Sequence, residues 1–267
     1  MADPPRRTGW LVFRLSVLEL WRNPLGLVLL VVIPSVFVGM IEWTAGTGSL
    51  PLKLFIGEDV VELLLTQRQV ALVFVCAAVS GFLAAYYALI LFHNGLGYFR
   101  YCAFLGLSPL LFTLARFAAF LLVTSLLAAI TAAGLGYVTA LQQPLVVFSG
   151  FLMITVIYGA YGGIVGVLSR SFMPALLLIV LLADIDAAWL QNPVYYSAAQ
   201  DNAVIRWLPA FHPCQLVFAG AFTSSGNAAA LAGATTWALG AVALLVLAVQ
   251  LRLRGPLGAG PGGRFDQ

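Results

Sequence analysis

The chain has 267 residues, of which 62% are hydrophobic and only 9% are charged. A soluble domain carries roughly 25% charged residues, and at this size about a quarter of the unfolded chain's surface stays wet after folding. With a mean hydropathy of +1.01, the composition argues against a soluble enzyme, a disordered protein and a nucleic-acid binder. It indicates an integral membrane protein, in which the positions of the charges say more than their sum of +3.

Residues 6–24 precede the first long apolar run and predict an amphipathic helix. A helix with aromatic residues on one side and arginines on the other lies in the membrane interface, and the Asn23–Pro24 pair ends it. The alternative is a loose basic tail. Charged residues interrupt this segment before any long apolar run, so a cleavable signal peptide is not expected. The predicted apolar face consists of Trp10, Phe13, Val17, Leu20 and Trp21, and the opposite face mostly of Arg7, Arg14, Glu19 and Arg22.

Six stretches are long and apolar enough to cross a bilayer, which takes about 20 residues of helix. Polar breaks separate them, whereas a membrane β-barrel would show alternating segments of roughly ten residues. The sequence therefore predicts an all-α integral membrane protein, with residues 1–267 forming one transmembrane permease domain. The predicted spans are residues 25–43, 70–92, 109–137, 145–168, 174–190 and 228–251, followed by a tail at 252–267.

The basic residues set the expected orientation, because cytoplasmic loops of membrane proteins are enriched in Lys and Arg. With both termini in the cytoplasm, ten of the thirteen basic residues lie inside, and only Lys53, Arg68 and Arg206 lie outside. Seven of the ten acidic residues then lie outside. We expect a multi-pass protein of the cell inner membrane with both termini in the cytoplasm.

Two outer segments carry predicted structure. In the first outer loop, residues 54–65 predict a short amphipathic helix with Glu58, Asp59 and Glu62 on its wet side. Before the last span, residues 205–222 are apolar but broken by prolines into pieces too short to cross. They predict a re-entrant helical hairpin, because backbone at membrane depth must be covered by protein. The predicted outer-gate residues of this hairpin are Trp207, Pro209, Phe211, His212 and Pro213.

The cytoplasmic segment 93–108 is aromatic and mildly basic. Gly95 and Gly97 permit sharp turns, residues 98–105 can make two helical turns, and Pro109 begins the next span. We interpret residues 93–108 as a coupling segment that docks a cytoplasmic partner, the alternative being a plain interfacial loop. The predicted docking residues are Asn94, Gly95, Tyr98, Phe99, Arg100, Tyr101, Phe104 and Leu105.

Small residues are interpreted as packing residues. The fourth span carries Gly159 and Gly163, and Gly162 and Gly166, at four-residue spacing, which lets a neighbouring helix approach closely. The three cysteines are scattered along the chain, which predicts small apolar packing groups rather than disulfides or a metal site.

The sequence contains almost none of the motifs that indicate nucleotide hydrolysis, metal binding or ion transfer. The only lysine is Lys53, and no G-x-x-x-x-G-K-[ST] phosphate-binding loop is present. His93 and His212 are expected on opposite sides of the membrane and cannot share a metal. Ionisable residues inside spans would indicate an ion path, and Asp184 and Asp186 are the only candidates. On a helix they point about 200° apart, so at most one faces an internal cavity; the alternative is that both form the wet end of a helix.

The layout resembles the type 2 exporter permeases of the ABC transporter superfamily, as in drug and lipid export. The resemblance is carried by the interfacial segment 10–24, by F-R-Y-C-A-F-L-G-L-S-P (99–109) in the place of the family's coupling helix, and by W-L-P-A-F-H-P (207–213), where the family has a re-entrant helical pair. The coupling helix of the family commonly reads E-R-x-x-G, followed by a leucine and a proline-led span. The residues of this chain that match the pattern are Arg100, Leu105, Gly106, Leu107 and Pro109, and the acidic residue is absent.

The resemblance implies a mechanism. Two permease subunits, identical or paralogous, would enclose a path for a hydrophobic or amphipathic drug or lipid, surrounded by membrane lipids. Two separate ABC ATPase subunits, which bind ATP and Mg, would dock below, and residues 94–105 with the N-terminal helix would receive their motion. This chain would then be a non-catalytic subunit that binds no cofactor or metal itself and no nucleic acid.

Three other functions stay open at this stage. An ion-coupled or facilitative secondary transporter would use Asp184 or Asp186. A polysaccharide or glycolipid export permease belongs to the same family. A membrane enzyme or assembly factor is the third alternative.

Overall fold

The structure is a computed structural model that describes residues 4–57, 59–104, 108–196 and 199–254. Within them the chain is almost entirely helical, with one two-stranded sheet. The helices are α1 (Pro4–Trp21), α2 (Pro24–Thr44), α3 (Gln67–Phe104), α4 (Pro109–Val138), α5 (Pro144–Leu168), α6 (Phe172–Ala183), α7 (Phe211–Phe222) and α8 (Ala228–Arg254), and the strands are β1 (Ser49–Ile56) and β2 (Asp59–Thr66).

Six helices of the described chain are long and apolar enough to cross a membrane: α2, α3, α4, α5, α8, and α6 together with its π-helical continuation Asp184–Leu190. The predicted all-α, multi-pass membrane fold is therefore confirmed. Short connections join α4 to α5 and α5 to α6, so these spans run in alternating directions, and the start of α8 lies beside β1. We call the side that carries α1 and the end of α8 the terminal face, and the side that carries the strands the hairpin face.

Two central helices hold the bundle together. In α3, 78% of the most apolar stretch is buried inside the chain, and in α5 67%, whereas α2, α6 and α8 are only 22–28% buried. A helix that is apolar all round but buried on one side needs a lipid or a protein against its other side. The outer helices therefore present apolar surface outward from a core built on α3 and α5.

Glycines allow the close contact between these two central helices. A Cβ at Gly162 would overlap the backbone of Ala85 in α3, and a Cβ at Gly166 would lie 3.0 Å from the carbonyl oxygen of Leu89. The other glycine pair of α5 faces mainly side chains of α4 and α8. The four-residue spacing thus indicates packing on two sides of α5, as the sequence predicts.

The first outer loop is a β-hairpin, so the helix predicted for residues 54–65 is wrong. Strands β1 and β2 pair antiparallel, with Leu52 opposite Leu63 and Leu54 opposite Val61. Gly57 has a φ of +64° in the two-residue turn, a conformation that glycine adopts without strain. Alternation in P-L-K-L-F buries the leucines of β1 on one side, and this period of two decides the structure. Glu58 lies outside the described residues.

The contact between α3 and α5 yields the first prediction. Gly162→Ala forces the two helices apart, and overpacking of this kind lowers the free energy of unfolding by about 1–3 kcal/mol. Thermal unfolding of the purified chain in detergent should show a lower Tm. The matched control is Gly240→Ala in α8, where an added Cβ meets nothing within 4 Å and alanine is the better helix former. Equal melting of Gly162→Ala and the wild type would contradict the packing described here.

Candidate functional site

The N-terminal helix α1 packs along the first turns of α4. Its buried residues, Gly9, Val12, Ser16 and Leu20, recur at helical spacing and so share one side. Val12 forms a small apolar cluster with residues of α4, among them Phe112. The helix is therefore part of the folded body and not the loose tail that was the alternative.

The predicted apolar face of α1 is divided between two sides of the helix. Phe13 and Val17 are half-buried at the margin of the contact with α4. The two tryptophans point away from the protein, with Trp10 61% and Trp21 67% exposed. The same outer side holds more apolar and basic residues, so α1 offers one apolar side to α4 and a mixed one to its surroundings. Those exposed residues are Leu11, Arg14, Leu15, Leu18 and Arg22.

An ion pair fastens α1 to α4 on the terminal face. Nη2 of Arg116 lies 2.5 Å from Oε2 of Glu19, and the arginine side chain is only 3% exposed. Its guanidinium also lies 5.4 Å from the centre of the Phe112 ring. In α3, Gly95 leaves room for this group, since a Cβ there would lie 2.6 Å from Nη1 of Arg116. Three helices, α1, α3 and α4, therefore meet around one buried guanidinium, a contact we call the terminal junction.

The predicted coupling segment, residues 93–108, is largely the end of α3. The helix runs without interruption through Gly95 and Gly97 to Phe104, so the sharp turns expected at the two glycines are not present. At 1.5 Å per residue its 38 residues extend about 57 Å, well beyond the roughly 30 Å apolar core of a bilayer. Its candidate span is described over Gln67–Gly95. The remaining turns therefore project on the terminal face.

Only part of the predicted docking set can be placed. Asn94 is exposed, Gly95 is buried against the terminal junction, and Tyr98 is 39% exposed with its ring centre 6.3 Å from that of Phe112. The side chains of Phe99, Arg100, Tyr101 and Phe104, and the whole of Leu105, lie outside the described residues.

On the hairpin face, amide side chains bind the free edge of β1. Oε1 of Gln215 accepts from the backbone N–H of Phe55 (2.9 Å), and its Nε2 donates to the carbonyl of Lys53 (3.3 Å). Gln200 accepts from the N–H of Lys53 (2.8 Å), and Asn227 donates to the carbonyl of Phe55 (2.8 Å). An unpaired strand edge exposes backbone N–H and C=O groups. The amides supply hydrogen-bond partners for these groups of β1 and hold the strand over α7.

A surface ion pair adds to this contact. Nζ of Lys53 lies 2.6 Å from Oδ1 of Asp201, and this hydrogen bond and the carboxylate charge raise the pKa of Lys53 above its ordinary 10.5. The lysine is exposed to water, where ion pairs contribute little stability. The guanidinium of Arg206 lies 4.3 Å from the centre of the Phe55 ring. This is a further contact between β1 and the segment that precedes α7.

The segment predicted as a re-entrant hairpin consists of a 3-10 turn, Ile205–Trp207, and the helix α7. Ten of the twelve residues of α7 are buried, mainly against α5, so protein covers its backbone. Among the predicted outer-gate residues, Trp207 is 78% exposed, Phe211 is buried with its ring centre 5.8 Å from that of Phe55, and His212 is half-buried against Gly233 of α8. Pro209 is half-buried, and Pro213 is buried at the contact with α5.

A buried carboxylate joins three elements near the hairpin face. Asp186, in the π-helical segment, accepts hydrogen bonds from the Tyr158 hydroxyl of α5, from Nε2 of Gln191 (2.5 Å), and from the backbone N–H of Ala210 before α7 (3.2 Å). A carboxylate needs several donors when it is removed from water. Asp186 is therefore a connector between α5, the π-helical segment and α7, and not the wet end of a helix.

The two aspartates point in different directions, as their spacing predicts. Asp184 is exposed, whereas Asp186 is 8% exposed. Asp184 lines a cavity of about 250 Å³ between α2, α3 and α6. The sequence pointed to both residues but could not tell which of them is enclosed, because that depends on how the π-helical segment is rotated against α5.

A scan against models of known protein families finds no match for this chain, and a search of curated proteins finds none either. Function is therefore inferred from the terminal junction, the Asp186 hydrogen bonds and the cavity beside Asp184.

The Asp186 hydrogen bonds predict a difference between the two aspartates. Asp186→Asn places an amide NH₂ against groups that are themselves donors, and Tyr158→Phe removes one donor, at a loss of about 1–3 kcal/mol each. Both variants should unfold at lower temperature than the wild type in detergent. Asp184→Asn is the control, because that carboxylate is exposed. If Asp184→Asn lowers the Tm as much as Asp186→Asn does, Asp186 is not the connector.

His212 predicts a pH dependence of stability. Burial lowers its pKa below the ordinary 6.5, so the folded chain takes up the proton less readily than the unfolded chain. The contribution of His212 is complete above pH 6.5 and is lost as the pH falls toward the folded-state pKa. Melting curves from about pH 8 to about pH 5 should fall more steeply for the wild type than for His212→Gln. Parallel pH profiles would contradict this assignment.

Proposed function

We propose that this chain is the membrane-spanning permease subunit of an ATP-driven exporter of the type 2 ABC class, carrying a hydrophobic or amphipathic substrate. The observation that carries the proposal is the terminal junction. There, a span that projects beyond the membrane is fastened to an interfacial helix and to a third helix through one buried guanidinium. Such a junction suits a subunit that receives movement from outside the membrane.

The terminal junction connects the end of α3 to two other helices, so a force applied to α3 is transmitted to them. A force on the end of α3 acts directly on the core, because α3 packs closely on α5 through Gly162 and Gly166. The same force reaches α1 and α4 through Arg116. The guanidinium of this pair is held out of water, although the Glu19 carboxylate is only half-buried, and leaving a buried charge without its partner costs about 3–5 kcal/mol. The three helices are thus expected to move as one body.

The source of the movement lies in other chains under this proposal. The sequence contains one lysine and no phosphate-binding loop, so hydrolysis of ATP is assigned to two separate ATPase subunits. The outward apolar sides of α2, α6 and α8 leave room for lipids and for a second permease subunit, identical or paralogous. The excess of arginines at the terminal face supports its placement in the cytoplasm and the chain in the inner membrane.

Two observations favour this function over its alternatives. The oxygens of Asp186 already accept three hydrogen bonds, so this carboxylate is committed to the fold, and an ion-coupled transporter would have to rely on Asp184 alone. The cavity beside Asp184 is small and apolar, which suits a hydrophobic substrate better than a polysaccharide.

Copurification tests the proposal directly. The tagged chain, expressed in its own host and extracted in mild detergent, should purify with a second protein that mass spectrometry shows to carry a phosphate-binding loop. The purified complex should hydrolyse ATP faster than the ATPase subunit alone. A chain that purifies without such a partner, in several detergents and with added ATP, would overturn the proposal.

The terminal junction predicts uncoupling by substitution. Glu19→Gln should reduce the permease-dependent increase in ATP hydrolysis several-fold, because α1 is released from α4. Arg116→Gln should have the larger effect and should also lower the amount of folded protein, so the Tm and the yield are measured for both. The control is Arg14→Gln, which removes an exposed charge on the same helix. Full stimulation by a folded Glu19→Gln complex would remove the junction from the coupling route.

A further inference from the structure

The cavity beside Asp184 combines an apolar wall with one acidic group. It encloses about 250 Å³ between α2, α3 and the end of α6. Phe37, which lines it, is 38% exposed, and Asp184 is exposed as well, so the cavity opens to the outside of the helix bundle. No basic residue of the described chain lines it. Its lining consists of Ile33, Phe37, Val75, Ala78, Val79, Phe82, Val180, Asp184 and Ala188.

The carboxylate of Asp184 differs from the other acids in or beside the spans. Glu42, which lines the neighbouring cavity between α2 and α4, is paired with Arg68 at 3.0 Å, Glu19 is paired with Arg116, and Asp186 accepts three hydrogen bonds. Within the described residues, the Asp184 side chain makes neither a hydrogen bond nor an ion pair. It therefore lacks what a carboxylate needs when it leaves water.

The position of Asp184 along its span makes this lack more expensive. The span runs from Phe172 to Leu190, and Asp184 lies about 18 Å from its start and about 9 Å from its hairpin-face end by helical rise. The α2 residues of the cavity, Ile33 and Phe37, are in the middle of their helix. Ionisable groups at such depth face a cavity or a partner and mark functional sites.

We propose that this cavity binds a small hydrophobic organic cation, such as a quaternary ammonium with one aromatic ring, as the substrate of the exporter. This inference rests on the proposed function, since it names the class of substrate that the permease carries. The cationic group lies beside Asp184, and the apolar part lies against the walls supplied by α2 and α3.

The walls of the cavity suit this ligand. Phe37 and Phe82 offer aromatic rings, whose faces attract cations. A volume of about 250 Å³ lies just below the roughly 300–1,000 Å³ of drug-sized ligand pockets, so a molecule with a single ring fits better than a larger drug. The depth of Asp184 argues against the amine headgroup of a lipid, which stays at the membrane surface. The ligand enters from the bilayer through the open side.

A binding experiment on the isolated chain tests the inference without any ATPase. The chain is purified in dodecyl maltoside, whose headgroup is uncharged, and titrated with radiolabelled benzyltrimethylammonium. We expect saturable binding by the wild type and an affinity at least about tenfold lower for Asp184→Asn, the equivalent of about 1.4 kcal/mol. Phe82→Ala should also weaken binding. The matched control is Asp59→Asn, an exposed acid on β2, which should leave the affinity unchanged.

Two further arms separate the proposed ligand from other occupants. Unlabelled neopentylbenzene, the neutral isostere of the probe, should not compete if the charge is recognised. Phosphatidylethanolamine should not compete either, and competition by it would overturn the assignment in favour of a lipid headgroup. A wild type that binds no probe but loses self-association in Asp184→Asn would overturn it in favour of a second copy of the chain.

Equal affinities of the wild type and Asp184→Asn would overturn the inference outright. Neither that outcome nor absent binding touches the proposed function, which is tested by the ATPase partner. Conversely, saturable binding that depends on Asp184 stands even if no ATPase copurifies, in which case the chain binds cations but is not an ATP-driven permease.

Discussion

A charge inside a membrane protein needs a partner, and this constraint decides where the helices of the chain are fastened. The pair of Arg116 and Glu19 joins α4 to α1, and the pair of Arg68 and Glu42 joins α3 to α2. Asp186 joins α5 to the π-helical segment and to the approach to α7. Apolar packing alone would leave neighbouring helices free to slide, because lipid tails solvate them as well as protein does. The few polar contacts therefore fix positions that the many apolar contacts leave open.

Close backbone packing supplies the rigidity between those points. At Gly162 and Gly166, α5 approaches the backbone of α3, and α7 approaches α5 in the same way at Gly150 and Gly220. Glycines have no side chains to interdigitate, but they allow the backbones of two helices to come into direct contact. The hairpin face and the core are therefore one unit, since α7 also carries Gln215, which binds the edge of β1.

The spans could be predicted from the sequence because each is a continuous apolar run bounded by polar residues or proline, and run length alone identifies them. The hairpin could not, because the predicted helix 54–65 joins the end of β1 to most of β2, where three consecutive leucines break the alternation, so the stretch was compatible with one helix or with two strands. The turn at Gly57 decides between them, and the predicted wet side of the helix becomes an exposed strand. Length was thus a better guide than periodicity in this chain.

The candidate sites were predictable only where both partners lie close in sequence. The opposite directions of Asp184 and Asp186 follow from helical geometry, whereas the partners of Asp186 are 28 and 24 residues away along the chain. The amides that bind β1 come from positions more than 140 residues distant. The buried side of α1 was missed because the helix has apolar residues on two sides, and only the presence of α4 selects between them.

One helix links the two places to which function is assigned. Val75 and Phe82 line the cavity near one end of α3, and Gly95 touches the terminal junction near the other. Phe82 and Tyr98 are 16 residues apart in an unbroken helix, or about 24 Å, and a helix of this length moves as a rod and does not compress. A displacement of the projecting end of α3 therefore reaches the α3 wall of the cavity and, through α5 and Asp186, the π-helical segment that holds Asp184, whereas α2 supplies the opposite wall. In the proposed exporter this movement relative to α2 is what would open the apolar walls around the cation. It would weaken binding at the moment of release without any change in the charge of Asp184.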